Sequence, residues 1–382
     1  MDFQLSSDQR ALQDMAQKFS REKLAPKAGE WDEKEHFPLD VLAQSASLGF
    51  AGTYVPENYG GSGLSRLDAA IIFESLSHGC ISTAAYLSVH NMVAWILAEY
   101  GSEDHKKHFL PRMTSMQALG SYCLTEPGAG SDAASLKTKA VKDGGDYVIT
   151  GNKTFITAGG TSEIYVVMAR TGEEGPNGIS AIVLEKGMKG LSFGKPEQKM
   201  GWRSQPTNSM TMESVRVPQR NLLGKEGDGF KIAMKALDGG RINIAACSLG
   251  GAKAAMDMAM GYAESRKQFG RKIMDFQANQ FKFANMAIAL DAARLMTYRA
   301  AQSFDSKNPD LTLHAAMAKK FASEAAFNIA DEALQLHGGY GYIREYQVER
   351  ILRDLRVHRI LEGTNEIMQL IIARKVLETY AA

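Results

Sequence analysis

Residues 128–150 read Gly128-Ala129-Gly130-Ser131-Asp132-Ala133-Ala134-Ser135-Leu136-Lys137-Thr138-Lys139-Ala140-Val141-Lys142-Asp143-Gly144-Gly145-Asp146-Tyr147-Val148-Ile149-Thr150. The first six fit G-x-G-x-x-A, the pattern that brings a dinucleotide pyrophosphate onto a helix N-terminus. That use demands a strand directly before and a helix directly after, inside a βαβ unit. Here Glu126-Pro127 intervenes, and residues 136–150 read as a hairpin around Asp143-Gly144-Gly145. The stretch therefore points to antiparallel β-structure. Its glycines are either a plain turn or a loop whose exposed N–H groups meet a ligand, since small residues allow close approach.

Outward from this stretch, short runs rich in β-branched and aromatic residues occupy 121–125, 139–142, 147–150, 154–157, 164–169, 179–184 and 210–217. Gly159-Gly160 and Pro176-Asn177-Gly178 punctuate them. No helical period lies between them, which predicts a small antiparallel barrel or sandwich. Before residue 120 the apolar spacing is three and four: Leu12, Met15, Ala16 and Phe19 behind a Ser7 cap, then 39–48, 67–76 and 84–99. After residue 230 the helical period returns over 250–266, 276–303, 313–336 and 366–380, lengths that suit a four-helix bundle. The fold expected is an N-terminal helical domain over residues 1–120, a central antiparallel β-barrel over 121–230 and a C-terminal helical bundle over 231–382.

Composition excludes several classes. With 45% hydrophobic and 23% charged residues the chain is an ordinary folded protein. Forty-four basic against 43 acidic residues leave a net charge of +1, which argues against a nucleic-acid partner bound by bulk electrostatics. Three scattered cysteines in no C-x-x-C spacing exclude a disulfide scaffold and a thiolate zinc site. The mixed-charge start resembles no targeting segment, and the best apolar run, 242–263, is interrupted by Lys253 and Asp257. The expectation is a cytoplasmic chain, or a mature matrix form, with no membrane partner. His105 and His108 lie at i, i+3 without an acidic third ligand, so a solvated helix face is expected and no metal. Hydrolase elbows, P-loops and H-E-x-x-H motifs are missing.

Near the C-terminus, Gln335-Leu336-His337-Gly338-Gly339-Tyr340-Gly341-Tyr342 breaks two helical patterns, and Leu361-Glu362-Gly363-Thr364-Asn365-Glu366 precedes the last. Thr364 is a good N-cap, with Glu366 in the first turn. Glu362 then sits just outside the cap beside a glycine. It is either a surface glutamate or a positioned base.

Taken together with Tyr122–Asp132, Lys153–Thr157, Arg266–Gly270 and Phe276-Gln277, these segments resemble the acyl-CoA dehydrogenase family in order and spacing, over essentially the whole chain. Within it, Leu237–Ala245, Met200–Pro206 and Arg356–Glu366 are most similar to the branch acting on isobutyryl-CoA. The resemblance implies an α–β–α fold and a non-covalent FAD. Tyr122, Cys123, Leu124, Thr125, Gly130 and Ser131 would run along the flavin, with Phe155, Ile156 and Thr157 against its ring. Thr364, Asn365 and Glu366 would bring a helix N-terminus near phosphate. Arg266, Gln268, Phe269, Phe276, Gln277, Gln335, Leu336, His337, Gly338 and Gly339 would reach the FAD of a neighbouring subunit in a homotetramer. Ser131, Asp238, Gly239, Gly240, Arg241, Gly363 and Arg374 match substrate positions.

Glu362 would take the α-proton, its carboxyl raised by burial from about 4.3 toward neutrality. The reaction implied is isobutyryl-CoA to methacrylyl-CoA in valine catabolism, with electrons passed to an electron-transferring flavoprotein. Leu361 stands where straight-chain members carry tyrosine, and Phe155 where the family carries tryptophan. Alternatives are a short straight-chain dehydrogenase, an oxidase giving its electrons to oxygen, and a non-catalytic flavoprotein scaffold. Oxidases of this fold are generally longer, and scaffold members usually add a basic domain.

Overall fold

The computed structural model describes residues 4–381; residues 1–3 and 382, the outer ends of the first and third expected domains, lie outside them. Six helices come first: α1 Ser7–Phe19, α2 Ala28–Lys34, α3 Leu39–Ala46, α4 Arg66–Gly79, α5 Ile81–Tyr100 and α6 Glu103–Thr114. Ser6 rather than Ser7 caps α1, in a reciprocal capping box with Gln9. The Leu39 helix ends at Ala46, two residues short of the expected stretch. Helix α5 is long and apolar enough to cross a membrane by length and composition, although no uninterrupted apolar run marks it in the sequence. It is instead a core helix, with 89% of its apolar window buried. Helix α6 escaped the periodicity reading because it is polar and carries Pro111. Its His105 is buried rather than solvated and accepts from Ser102 N at 3.2 Å.

Eight strands come next: β1 Gly120–Cys123, β2 Lys139–Asp143, β3 Asp146–Thr157, β4 Ile164–Arg170, β5 Ile179–Glu185, β6 Leu191–Phe193, β7 Thr207–Pro218 and β8 Leu222–Leu223. They run β6-β7-β3-β2-β4-β5-β8, with β1 against β4. The hairpin at residue 143 is present, Asp143 opposite Asp146 with Gly144 at φ 61°. Two features correct the expectation of an antiparallel barrel. No pairing closes β6 onto β8 among the described residues. Strand β1 lies parallel to β4, Gly120 opposite Ile164 through Cys123 opposite Val167. A parallel neighbour needs a long connection, and here the β2–β3 hairpin supplies it in place of a helix. The start of β1 is fixed from α5, where His90 Nδ1 accepts from Gly120 N at 3.1 Å. Burial pushes His90 down to about 4, which keeps that nitrogen free to accept.

The remaining elements are α7 Gly229–Ser265, a two-strand ribbon of β9 Lys267–Gln268 and β10 Arg271–Lys272, α8 Gln277–Asp305, α9 Leu311–His337, α10 Val348–Arg356 and α11 Asn365–Ala381. Helix α7 starts about twenty residues before the expected stretch and runs unbroken through Gly239-Gly240 and Gly250-Gly251. The helix continues through these glycines, and close neighbours leave no room there for a side chain. A Cβ on Gly250 would lie 2.0 Å from Glu74 O of α4. The two helical regions share one buried core, in which Ala16, Phe73 and Ile81 pack with Leu249, Ala300 and Ala322.

Candidate active site

Glu362 leaves the last turn before α11 with φ 53°, in the left-handed region that non-glycine residues seldom adopt, and Gly363 comes next at φ 92°. A non-glycine residue there costs of order 1–3 kcal/mol and persists only where its surroundings enforce it. The enforcement is visible. Arg241 Nε donates to Glu362 O at 3.3 Å, and Lys319 Nζ donates to Gly363 O at 2.8 Å and to Asn365 Oδ1 at 3.0 Å. Thr364 Oγ1 caps α11, accepting from Ile367 N at 3.4 Å.

The turn carries the carboxylate onto Gly240 of α7. A Cβ there would sit 2.1 Å from Oε2, so a side chain at 240 would push the carboxylate out of this seat. Oε2 is shut off from solvent and has no hydrogen-bond partner. Burial, opposed by Arg241 and Lys319, raises the Glu362 carboxyl to about 7. An acid lacking a partner and poised near neutrality can exchange a proton with a bound molecule. Other unpartnered buried atoms lie close by: Tyr122 OH on β1, and Asn243 Oδ1 one turn along α7 from Gly239. The Glu362 charge acts on Tyr122 and on Tyr54, whose hydroxyl accepts from Asn243 Nδ2 at 3.2 Å.

Asp238 and Arg241 form a buried ion pair of 2.8 Å, and Asp238 Oδ2 also accepts from Thr312 on α9 at 2.7 Å. Gly239 faces the buried Arg66, whose guanidinium lies among the Tyr54, Phe304 and Trp95 rings. Asp238, Gly239, Gly240, Arg241, Glu362 and Gly363 thus converge. Arg374 is exposed in the third turn of α11, and Ser131 is exposed on the glycine loop.

That loop is built on a buried ion pair the sequence reading did not single out. Lys153 Nζ meets Glu126 Oε1 at 2.8 Å and Leu124 O at 3.0 Å, while Glu126 also accepts from Lys137 N and Thr138 N. Past Lys153 the β3–β7 register shifts, and Phe155 is thrown outward at φ 57° with 66% of its surface exposed. A Cβ at Gly128 or Gly130 would meet nothing within 4 Å. No neighbour in the chain requires these glycines. Cys123, Leu124 and Ile156 turn their side chains into the core. Asn365 likewise points inward, to Ser323 and Glu324 of α9.

The other residues expected at a cofactor gather elsewhere. Arg266, Gln268, Gln335, Leu336, His337, Gly338 and Gly339 line a surface cavity of about 430 Å³ with Tyr262 and Tyr340. Phe269 and Gly270 turn the ribbon at positive φ, leaving Phe269 93% exposed; Phe276 is 6.3 Å away, centroid to centroid. Gln277 opens α8, exposed. The residues missed by the sequence reading are Lys319, Glu126, Tyr54 and Asn243. The legible trace of Lys319 was a lysine on a small-residue face, Ala315, Ala318 and Ala322 at spacings of three and four around it.

The family models for the acyl-CoA dehydrogenase N-terminal, middle and C-terminal domains match residues 6–117, 121–215 and 227–377. Mitochondrial isobutyryl-CoA dehydrogenase of Dictyostelium discoideum is 54% identical over 373 residues, covering 97% of this chain and 90% of that protein. The Bos taurus enzyme of that name is 50% identical over 374 residues, covering 98% and 90%. The structure of butyryl-CoA dehydrogenase from Megasphaera elsdenii superposes with a TM-score of 0.96 at 40% identity, covering 99% of this chain and all of that one. With three matched domains in order and a left-handed glutamate aimed onto the diglycine of α7, the chain belongs to the acyl-CoA dehydrogenase family of oxidoreductases.

Proposed function

We propose that the protein binds FAD and dehydrogenates a short branched acyl-CoA, converting isobutyryl-CoA to methacrylyl-CoA. The observation that carries the chemistry is the partnerless Glu362 carboxyl on Gly240, raised to about 7. The branched chain is supported by the 54% and 50% identity to enzymes that bear that activity in their names. A short straight-chain substrate is the second reading, favoured by the likeness to butyryl-CoA dehydrogenase.

A thioester α-proton is weakly acidic, so a base and stabilisation of the developing negative charge must act together. Glu362 Oε2 takes the α-proton. Arg241 stands behind the turn as a fixed cation, and Lys319, which burial pushes down to about 7, adds its charge there while protonated, so the transferred charge is not left unbalanced in a buried site. Phe155, Tyr122 and the main chain of the 124–131 loop would hold the flavin, Thr364–Glu366 would offer N–H groups to its phosphates, and Ser131, Asp238–Arg241, Gly363 and Arg374 would meet the acyl-CoA. FAD, when bound, supplies acceptance of the β-hydrogen with its electron pair, and an electron-transferring flavoprotein removes the electrons.

Arg241 lies within α7 and Arg266 caps its C-terminal end 25 residues on, roughly 37 Å away along the helix. The cavity at Arg266 therefore serves the cofactor of a second copy, and the working form is a homotetramer of paired dimers. The test is kcat/KM for isobutyryl-, butyryl- and 2-methylbutyryl-CoA, with anaerobic bleaching of the yellow protein as the direct signal. Isobutyryl-CoA should lead; a lead for butyryl-CoA selects the straight-chain reading.

A further inference from the structure

We propose that Lys319 is the positioning residue of the base: from α9 it locks the Glu362–Gly363 turn and sets a cation behind the carboxylate. The inference rests on Glu362 being the base. Lys319 is fully buried, an expensive place for an ammonium group unless its protons are used. Two of them are, and both go to the segment that carries the base: Gly363 O at 2.8 Å and Asn365 Oδ1 at 3.0 Å. The lock has a second tier. Asn365 Nδ2 donates to Ser323 Oγ and to Glu324 Oε1, each at 3.1 Å, so α9 grips the first residue of α11 from two sides.

The strained turn and this grip explain each other. With Glu362 at φ 53° and Gly363 at φ 92°, the Gly363 carbonyl meets Lys319 Nζ, its partner in a part-buried hydrogen bond. Releasing the carbonyl frees the turn, and the carboxylate loses its seat on Gly240. The charge acts on the same atom. Burial pushes Lys319 down to about 7, with Glu362, Glu366 and Glu324 pulling it up and Arg241 adding to the fall. Glu362 is faced by Arg241 from α7 and Lys319 from α9. Its other titratable neighbours are Tyr54, Tyr122 and Cys247, all held neutral by burial. Behind Lys319 stands His358, pushed down to about 3 by burial and then by the lysine, so it adds no charge.

The test compares wild type, Lys319→Met, Lys319→Arg and Ser323→Ala as holoenzymes. Single-turnover flavin bleaching with isobutyryl-CoA is followed from pH 5 to 9, and proton uptake on binding is measured calorimetrically in two buffers. Removing a facing cation should displace the Glu362 limb upward by about one unit, since a close opposite charge is worth that much or more. Lys319→Met should also lower the rate at pH 7 by about 10-fold or more through misplacement of the base, with acyl-CoA affinity little changed. Lys319→Arg should restore the limb and part of the rate. Ser323→Ala keeps the charge, so it should slow bleaching severalfold with the limb in place; it is the deciding variant if Lys319→Met fails to fold. An unmoved limb and unchanged proton uptake in Lys319→Met, or a wild-type rate in Ser323→Ala, overturns the inference. Glu362→Gln separates the two readings: if that variant still bleaches, the base itself is misassigned.

Discussion

Glu362 combines three conditions that rarely coincide in one carboxylate: an αL backbone, a buried oxygen without a partner, and an acid strength moved to near neutrality. Its carboxyl is raised on folding, so the folded state binds the proton more tightly than the unfolded chain. The Glu362 contribution to stability therefore falls as pH rises from about 4.5 to about 7 and is constant above that, while the rate of α-proton removal should rise through about 7. Glu362→Gln should retain FAD and acyl-CoA, lose bleaching by about 10⁴-fold or more, and abolish this part of the stability profile. Denaturant midpoints across pH and stopped-flow absorbance check the two halves separately; bleaching within a few-fold of wild type would reassign the base. Leu361, packed against the main core, is the neighbour that should set chain preference. Replacing it by tyrosine puts a ring where an α-methyl group needs room. Leu361→Tyr should cut kcat/KM for isobutyryl-CoA more than for butyryl-CoA, by about 10-fold in the ratio, a methyl group's worth of fit. Equal losses would acquit Leu361.

Among the elements, α7 links the site to the core. Its 37 residues carry glycine wherever another element or a functional group comes too close for a side chain. Gly240 admits the carboxylate, Gly239 admits Arg66, and Gly250 admits the backbone of α4. Gly250→Ala should cost about 1–3 kcal/mol, because a Cβ 2.0 Å from Glu74 O meets main chain that cannot rotate away. Gly261→Ala on the same helix meets nothing within 4 Å and should instead stabilise by about 1 kcal/mol through helix propensity. Thermal melts of both variants read the contrast; equal shifts would refute the crossing argument. Strand β3 makes the complementary use of irregularity. Its register shift buries Lys153 and Ile156 while turning Phe155 outward, which strict alternation would not do.

At the scale of the whole molecule, helices from both ends of the chain share one core, with the sheet between them in sequence. That arrangement seats the Glu362 turn between α7 and α9. It leaves the cavity at Arg266 far along α7, facing outward. Arg266, 5.5 Å above the Tyr340 ring, is exposed and needed for no buried contact. Arg266→Ala should therefore fold and assemble yet lose FAD on gel filtration, read as the flavin-to-protein absorbance ratio. Full FAD content in the assembled variant would give Arg266 another task.

By itself the sequence determined the order helix, sheet, helix, the hairpin at Asp143, the rejection of a dinucleotide fold, the cap at Thr364 and the placing of Glu362 beside a glycine. These are local: turn chemistry, capping and hydrophobic period act over a few residues and are written in them. Of helix α6 it read only the face at His105 and His108, the rest being hidden by polar composition and Pro111, and it began α7 late because glycine pairs mimic a break. Only the tertiary structure decided the rest. The parallel β1–β4 pair, the inward Asn365 and the lysine that grips Gly363 join residues far apart in sequence. The acid strength of Glu362 was expected to rise but was set by contacts from α7 and α9. Burial and charge are properties of packing, and a carboxylate's environment comes from whichever elements close around it.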